Sequence, residues 1–204
     1  MEKGEAVNII GPNGKGKSTL TYLLYRFYAK HGGQILINGK DINCYQLSDI
    51  RRNIGIVTQK SGYLRGRFCD VVKLGCSCRK SEDELIGVLK SVKLYERVTQ
   101  LPDGLYTYID DFDREFSVGE IQRLQLVNVL LRDCQVVILD EATSHLDGET
   151  EELLYTFLKE KCKNRIVLNI THNRLMSGAH VRTYRMNGGK LERVENAKSM
   201  AKNN

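Results

Sequence analysis

Residues 11–19 read Gly-Pro-Asn-Gly-Lys-Gly-Lys-Ser-Thr, directly after the apolar run Ala6 to Ile10 and directly before a helical pattern. An eight-position pattern of glycine, lysine and hydroxyl between a strand and a helix leaves few local conformations open, because each glycine marks a bend that a side chain would resist. Gly11, Gly14 and Gly16 let the backbone curl, so that the N–H groups of the loop, Asn13 and Lys15 included, point at an anion in front of the positive helix end. Lys17 can then reach outer phosphates, Ser18 can offer its hydroxyl to Mg²⁺, and Thr19 can face inner phosphates. The expected ligand is a nucleoside triphosphate with Mg²⁺.

Two further segments carry matching chemistry. Val136-Val137-Ile138-Leu139-Asp140-Glu141 is an apolar run ending in two acids, the pattern of a buried parallel strand that delivers carboxylates to its carboxyl end. Asp140 is expected in the Mg²⁺ shell, and Glu141 is placed to accept a proton from the water that attacks the terminal phosphate. Ser117 and Glu120 have the S-x-x-E spacing of a capping box, followed by apolar residues from Leu124 to Leu131, so a helix is expected to begin at Ser117 with its positive end open to an anion.

Phe116-Ser117-Val118-Gly119-Glu120 resembles the L-S-G-G-Q signature of the ABC-transporter ATPases. Gln59 resembles the Q-loop glutamine of that family, Ser144-His145-Leu146-Asp147 its D-loop, and His172 its H-loop histidine, all in the family's order. Residues 33–42 and 47–51, and Leu101-Pro102-Asp103-Gly104-Leu105, are similar to exporter phrases. The resemblance implies an α/β fold, a P-loop NTPase (RecA-like) parallel-sheet core with a small antiparallel part and an inserted α-helical subdomain. The implied division is a core of residues 1–60 and 133–194, a helical part of 61–132 and a tail of 195–204.

It also implies ATP and Mg²⁺, with Ser18, Gln59 and Asp140 as metal ligands and Glu141, His172 and Gln59 as catalytic residues. Ser117, Gly119, Glu120 and Asp147 join the phosphate loop in holding the nucleotide. In such proteins two copies close head to tail, so Ser117 and Gly119 of one face Lys17 of the other. The implied partners are a transmembrane exporter domain and a second ATPase domain, homodimeric or heterodimeric, on the cytoplasmic face of the cell membrane. The transported substrate is not implied, since the membrane domain selects it.

Composition bounds the alternatives. With 204 residues and 41% hydrophobic content, the chain can bury a core, and no apolar run approaches the ~20 residues of a spanning helix. Its first residues lack the form of a signal peptide. The net charge of +6 is dispersed, so no nucleic-acid partner is expected and the excess reads as a solvated surface that suits an anionic membrane face. Cysteines at 44, 69, 76, 78, 134 and 162 have no metal-site spacing and are expected as thiols, with Cys134 a small core residue.

Local signals predict the remaining elements: a helix from Lys17 to about Lys30, a hairpin at Asn38-Gly39 and a strand ending at Gln59. A capped helix follows Ser81, with Leu85, Ile86, Val88, Leu89 and Val92 as inward candidates. A helix over Glu149 to Lys161, a strand over Ile166 to Ile170 and a hairpin at Asn187-Gly188-Gly189 complete the pattern.

Two departures from the family pattern bear on function. Val118 and Glu120 stand where glycine and glutamine are usual, and Ile109-Asp110-Asp111-Phe112 replaces V-G-E-x-G, with Asp111 a substitute for the usual glutamate. The strands and the adenine-stacking aromatic that precede the phosphate loop in the family have no counterpart here, which favours a piece of a longer exporter over a short standalone subunit. Tyr22, Tyr25 and Tyr28 lie on the phosphate-loop helix and read as core or surface residues. A soluble ABC ATPase acting on nucleic acid or a protein complex, and a regulatory ATP-binding module with little turnover, stay open as alternatives.

Overall fold

Apolar runs form the central strands, and Gly16, Ser81 and Ser117 cap the starts of three of the helices. The computed structural model describes residues 1–30, 32–58, 62–76, 80–143, 148–161, 163–172, 176–178 and 180–194, with the backbone alone for 149, 150, 153, 157 and 161. The chain begins with β1 (Ala6–Ile10), α1 (Lys17–Leu24), the hairpin of β2 (Leu36–Ile37) and β3 (Lys40–Asp41), α2 (Leu47–Asn53) and β4 (Ile54–Val57). It continues through β5 (Gly66–Arg67), α3 (Phe68–Val72), α4 (Glu82–Ser91), α5 (Tyr95–Thr99), β6 (Tyr108–Ile109), α6 (Phe112–Glu115) and α7 (Val118–Leu131). Then come β7 (Val136–Asp140), α8 (Gly148–Lys161), β8 (Ile166–Ile170), β9 (Val181–Asn187) and β10 (Lys190–Arg193). Among the described residues no helix is long and apolar enough to cross a membrane.

The chain separates into two units, one made of residues 1–56, 134–140 and 165–204, the other of 57–133 and 141–164. The main sheet has the strand order β10-β9-β1-β8-β7-β4. Within it β1 runs parallel to both β8 and β9, β7 runs parallel to β8, and β10 returns antiparallel along β9. Val7, Ile9, Ile138, Leu168 and Ile170 are buried in one cluster of the first unit, as strands covered on both faces require.

The small hairpin turns as expected. Asn38 and Gly39 both have positive φ, 51° and 75°, the pair a type I′ turn needs. The phosphate-loop helix is shorter than expected, ending at Leu24 rather than near Lys30. Arg26 takes a left-handed φ of 54° and the Phe27 N–H turns back to the Tyr22 carbonyl at 2.8 Å. That stop lets Tyr22, Tyr25, Phe27 and Tyr28 gather with ring centroids 5.0, 5.3 and 6.0 Å apart, with the Arg51 guanidinium over Tyr25 and Phe27. Aromatic contact and cation–π attraction outweigh the few hydrogen bonds of one more helical turn. The three tyrosines are therefore partly buried or surface residues of a cluster. β4 ends at Val57, and Gln59 lies outside the described residues.

The second unit packs around Phe68, Leu85, Leu89, Phe112, Phe116 and Leu124. Ser81 caps α4 reciprocally: its hydroxyl accepts from the Glu84 N–H at 3.1 Å and Glu84 accepts from the Ser81 N–H at 3.0 Å. Leu85, Leu89 and Val92 line the buried face, while Ile86 and Val88, also expected inward, are only half-buried because they fall off that i, i+4 row. Asn128 of α7 donates to the carbonyls of Val72 and Leu74 at 2.8 and 2.9 Å, which ties α7 to the end of α3.

Candidate functional site

Strand register brings the sequence-predicted groups of the first unit to one edge. Ile9 of β1 pairs with Ile170 of β8, and Ile170 pairs with Asp140 of β7, so the last residues of β7 and β8 and the next-to-last residue of β1 form one row. The phosphate loop leaves β1 two residues beyond Ile9, and His172 follows β8 two residues beyond Ile170. This is the carboxyl edge of the strands, where open α/β sheets hold their ligands.

The loop is shaped by glycine at two places in particular. Gly11 has a φ of 150°, and a Cβ there would sit 2.6 Å from the carbonyl oxygen of Met186 on β9. Gly16 caps α1 in the left-handed region, with a φ of 96° and no side-chain hydrogen bond to the helix. The first amides of α1 therefore have no side-chain acceptor of the cap, and its first turn carries no acid, so its positive end favours an anion. Lys17 is buried, and its ammonium donates to the carbonyls of Gly11 at 2.8 Å and Pro12 at 3.1 Å and to Asn13 Oδ1 at 3.5 Å. Asn13, Gly14, Lys15, Ser18 and Thr19 are exposed around it.

The Ser18 hydroxyl donates to Asp140 Oδ1 at 3.3 Å, and Asp140 is buried. Hydroxyl and carboxylate are thus adjacent hard oxygen donors, although they lie 122 residues apart in the chain. His172 is exposed, and the N–H of Thr171 before it donates to the Ile9 carbonyl at 3.1 Å.

Glu141 belongs to the second unit and is half-buried. Its φ of 54° is left-handed, a conformation that costs a residue with a Cβ roughly 1 kcal/mol or more and that concentrates at functional positions. Ser117, Gly119 and Glu120, in the same unit, start α7. Ser117 Oγ accepts from the Glu120 N–H at 3.3 Å, while Glu120 Oε2 accepts from the Ser117 N–H and hydroxyl, each at 2.8 Å. Arg97, which sequence reasoning did not single out, lies with its Nε 3.7 Å from Glu120 Oε1 and its Nη2 2.6 Å from Glu115 Oε1, over the Phe116 ring. Asp111 serves as the cap of α6, accepting from the Asp113 N–H at 3.1 Å. Gln59 and the segment Ser144 to Asp147 lie outside the described residues.

A phosphate loop from β1, an acid from β7 against its hydroxyl, and a parallel sheet ordered around them define a P-loop NTPase. A family model described as ABC transporter matches residues 1–144, and the chain belongs to that family as an ATP-binding, ATP-hydrolysing domain. It is 34% identical over 198 residues to an ATP-dependent lipid A-core flippase of Francisella novicida, covering 97% of this chain and 33% of that protein. It is 35% identical over 168 residues to a mitochondrial iron-sulfur clusters transporter of Candida albicans, covering 82% of this chain and 22% of that one. A bacterial Atm1-family ABC exporter solved with ATP bound superposes with a TM-score of 0.86 at 29% identity, covering 99% of this chain and 35% of that chain. The chain spans about a third or less of the length of these relatives.

Gly11→Ala tests the close approach of the loop to β9. The added methyl meets a backbone oxygen that the sheet holds in place, so the variant is expected to unfold with about 1–3 kcal/mol less stability. Gly14, with φ 74° and nothing within 4 Å of its Cβ position, carries only the left-handed penalty, so Gly14→Ala is expected to cost about 1 kcal/mol. Urea unfolding of both measures the difference, and equal stabilities would contradict it.

Proposed function

We propose that this chain powers export across a membrane as the peripheral ATPase domain of an ABC exporter, working at the cytoplasmic face with a transmembrane partner and a second ATPase domain. The observation that carries the ATP chemistry is the 3.3 Å contact of Ser18 with Asp140 beside the glycine-framed start of α1. The names of the flippase, the transporter and the exporter that the chain resembles support the transport role.

The donor set fits Mg²⁺. A serine hydroxyl and a buried carboxylate are hard oxygen ligands, and Mg²⁺ commonly takes few protein ligands because it keeps waters and substrate phosphate oxygens. Ser18, Asp140 and Gln59 would hold the ion, which when bound offsets charge on the phosphate oxygens. Lys17 exchanges its carbonyl partners for the outer phosphates, and the amides from Asn13 to Thr19 bind phosphate oxygens through hydrogen bonds. Glu141 takes a proton from the attacking water, and His172 holds the terminal phosphate. Ser117 and Gly119 of a second copy, with Glu120 and Asp147 close by, complete the site.

Complementation tests the shared site. Lys17→Ala and Ser117→Ala chains should each be inactive alone, and mixing them should restore ATP hydrolysis at roughly a quarter of the wild-type rate, the statistical share of one intact site in two among mixed pairs. No recovery on mixing, with both chains folded, would count against a site shared by two copies.

Glu141→Gln keeps the shape of the side chain and removes its basicity. ATP is expected to stay bound while single-turnover hydrolysis slows by at least 10²-fold, within the usual range for a general base. Hydrolysis at the wild-type rate would assign the proton elsewhere.

Glu120 carries a negative charge at the end of α7 that the proposal brings to the partner's phosphates. Glu120→Gln preserves a carbonyl acceptor for the Ser117 N–H and removes a repulsion of about 1 kcal/mol at water-like dielectric. The repulsion is removed at both shared sites of a dimer, so ATP-dependent dimerisation, followed by analytical ultracentrifugation, should strengthen roughly thirtyfold. A weaker dimer would show that the Arg97–Glu120 pairing matters more than the repulsion.

A further inference from the structure

Asn8 is a polar residue at the centre of β1 with 0% exposure, and a buried amide is costly unless its hydrogen bonds are made. All of them are. Its Nδ2 donates to the Met176 carbonyl at 2.9 Å and to Thr183 Oγ1 at 3.2 Å, and its Oδ1 accepts from Asn169 Nδ2 at 3.0 Å and from the Met176 N–H at 3.1 Å. Two donors and two acceptor sites are the full capacity of an asparagine side chain. Asn169 and Thr183 are its register partners on the neighbouring strands β8 and β9, and both are buried.

A register-fixing role accounts for the bonds to Asn169 and Thr183 but not for the other two. Those go to both backbone groups of Met176, a buried residue that belongs to no strand and lies four positions after His172. On the other side of His172, the Thr171 N–H is held by the carbonyl of Ile9, the residue next to Asn8. Thr171 before His172 and Met176 after it are thus held by two consecutive residues of β1, the strand that leads into the phosphate loop at Gly11.

We infer that Asn8 is a positioning residue for hydrolysis: its amide clamps Met176 and so sets His172 in a fixed relation to the phosphate loop. This rests on the reading of His172 as the contact to the terminal phosphate. The clamp works through the backbone, so Asn8 itself touches no substrate.

The variant that isolates the clamp is Asn8→Leu with Asn169→Leu. Replacing both members of this buried pair by apolar groups of similar size leaves neither amide orphaned, while the Met176 N–H and carbonyl and the Thr183 hydroxyl lose their Asn8 partner. Expected are a lowered melting temperature with a single cooperative transition, because the Met176 backbone groups lose their partner, Met176 amide exchange at least tenfold faster with the β1–β8 ladder amides still protected, and kcat lowered about tenfold with KM for ATP little changed. The decisive reading is a cycle with His172→Ala: in that background the same two substitutions should change kcat less than twofold. An equal fall of kcat in both backgrounds would make Asn8 a general structural residue and overturn the proposal. Unchanged protection of Met176 would overturn the clamp itself. His172→Ala turning over at the wild-type rate, with Met176 exchange still accelerated in the double variant, would instead refute the role of His172 and with it the catalytic consequence. Should the double variant fail to fold, Asn169→Leu alone removes one donor to Asn8 Oδ1, and about a threefold change in the same readings is expected.

Discussion

The parallel pairing of β1 with β8, and of β8 with β7, is the constraint on which the nucleotide site depends. Parallel strands need long crossovers, so the residues that meet at their carboxyl ends come from distant parts of the chain. Here Ile9, Ile170 and Asp140 share a row, and the phosphate loop, His172 and the acid that meets Ser18 follow from it. A slip of one residue in either pairing would turn the buried side chains of a strand to the opposite face and separate Ser18 from Asp140. The buried Asn8–Asn169 hydrogen bond opposes a slip of β1 against β8, which would break it.

The two helix starts relevant to phosphate are built in opposite ways. α1 begins at a glycine in the left-handed region with no side-chain cap, so its amides face outward for an anion. α7 begins at a reciprocal capping box in which Ser117 and Glu120 already satisfy each other, with Arg97 alongside the carboxylate. An anion at α1 meets ready donors. An anion at α7 meets a serine hydroxyl already given to Glu120, and the proposed contact of Ser117 with a partner's phosphate requires that hydrogen bond to be exchanged.

Local chemistry was legible wherever a feature depends on neighbours in the chain. The glycine and lysine spacing of residues 11–18, the capping boxes at Ser81 and Ser117 and the Asn38-Gly39 turn each rest on contacts a few residues long, and each has the expected local form. The length of α1 was not legible, because Tyr25, Phe27 and Tyr28 suit a helix as well as a stop. What ends it is their packing with Tyr22 and with Arg51, which the chain brings back only after the hairpin. Ile86 and Val88 were drawn inward by hydrophobicity, yet they lie on opposite sides of the buried row of α4 and are only half-buried.

By itself the sequence determined the family, the α/β class and the position of the glycine-rich loop between β1 and α1, because these are written in residue type and short spacing. Only the tertiary structure decided that Asn8 joins Asn169, Thr183 and Met176, that Ser18 meets Asp140, and that Arg97 stands beside Glu120. Asn8 and Asn169 each interrupt an apolar run, but a polar residue in a strand has many possible partners. Which one it meets depends on strand order and register, and those are set by the burial of the whole sheet rather than by any segment within it.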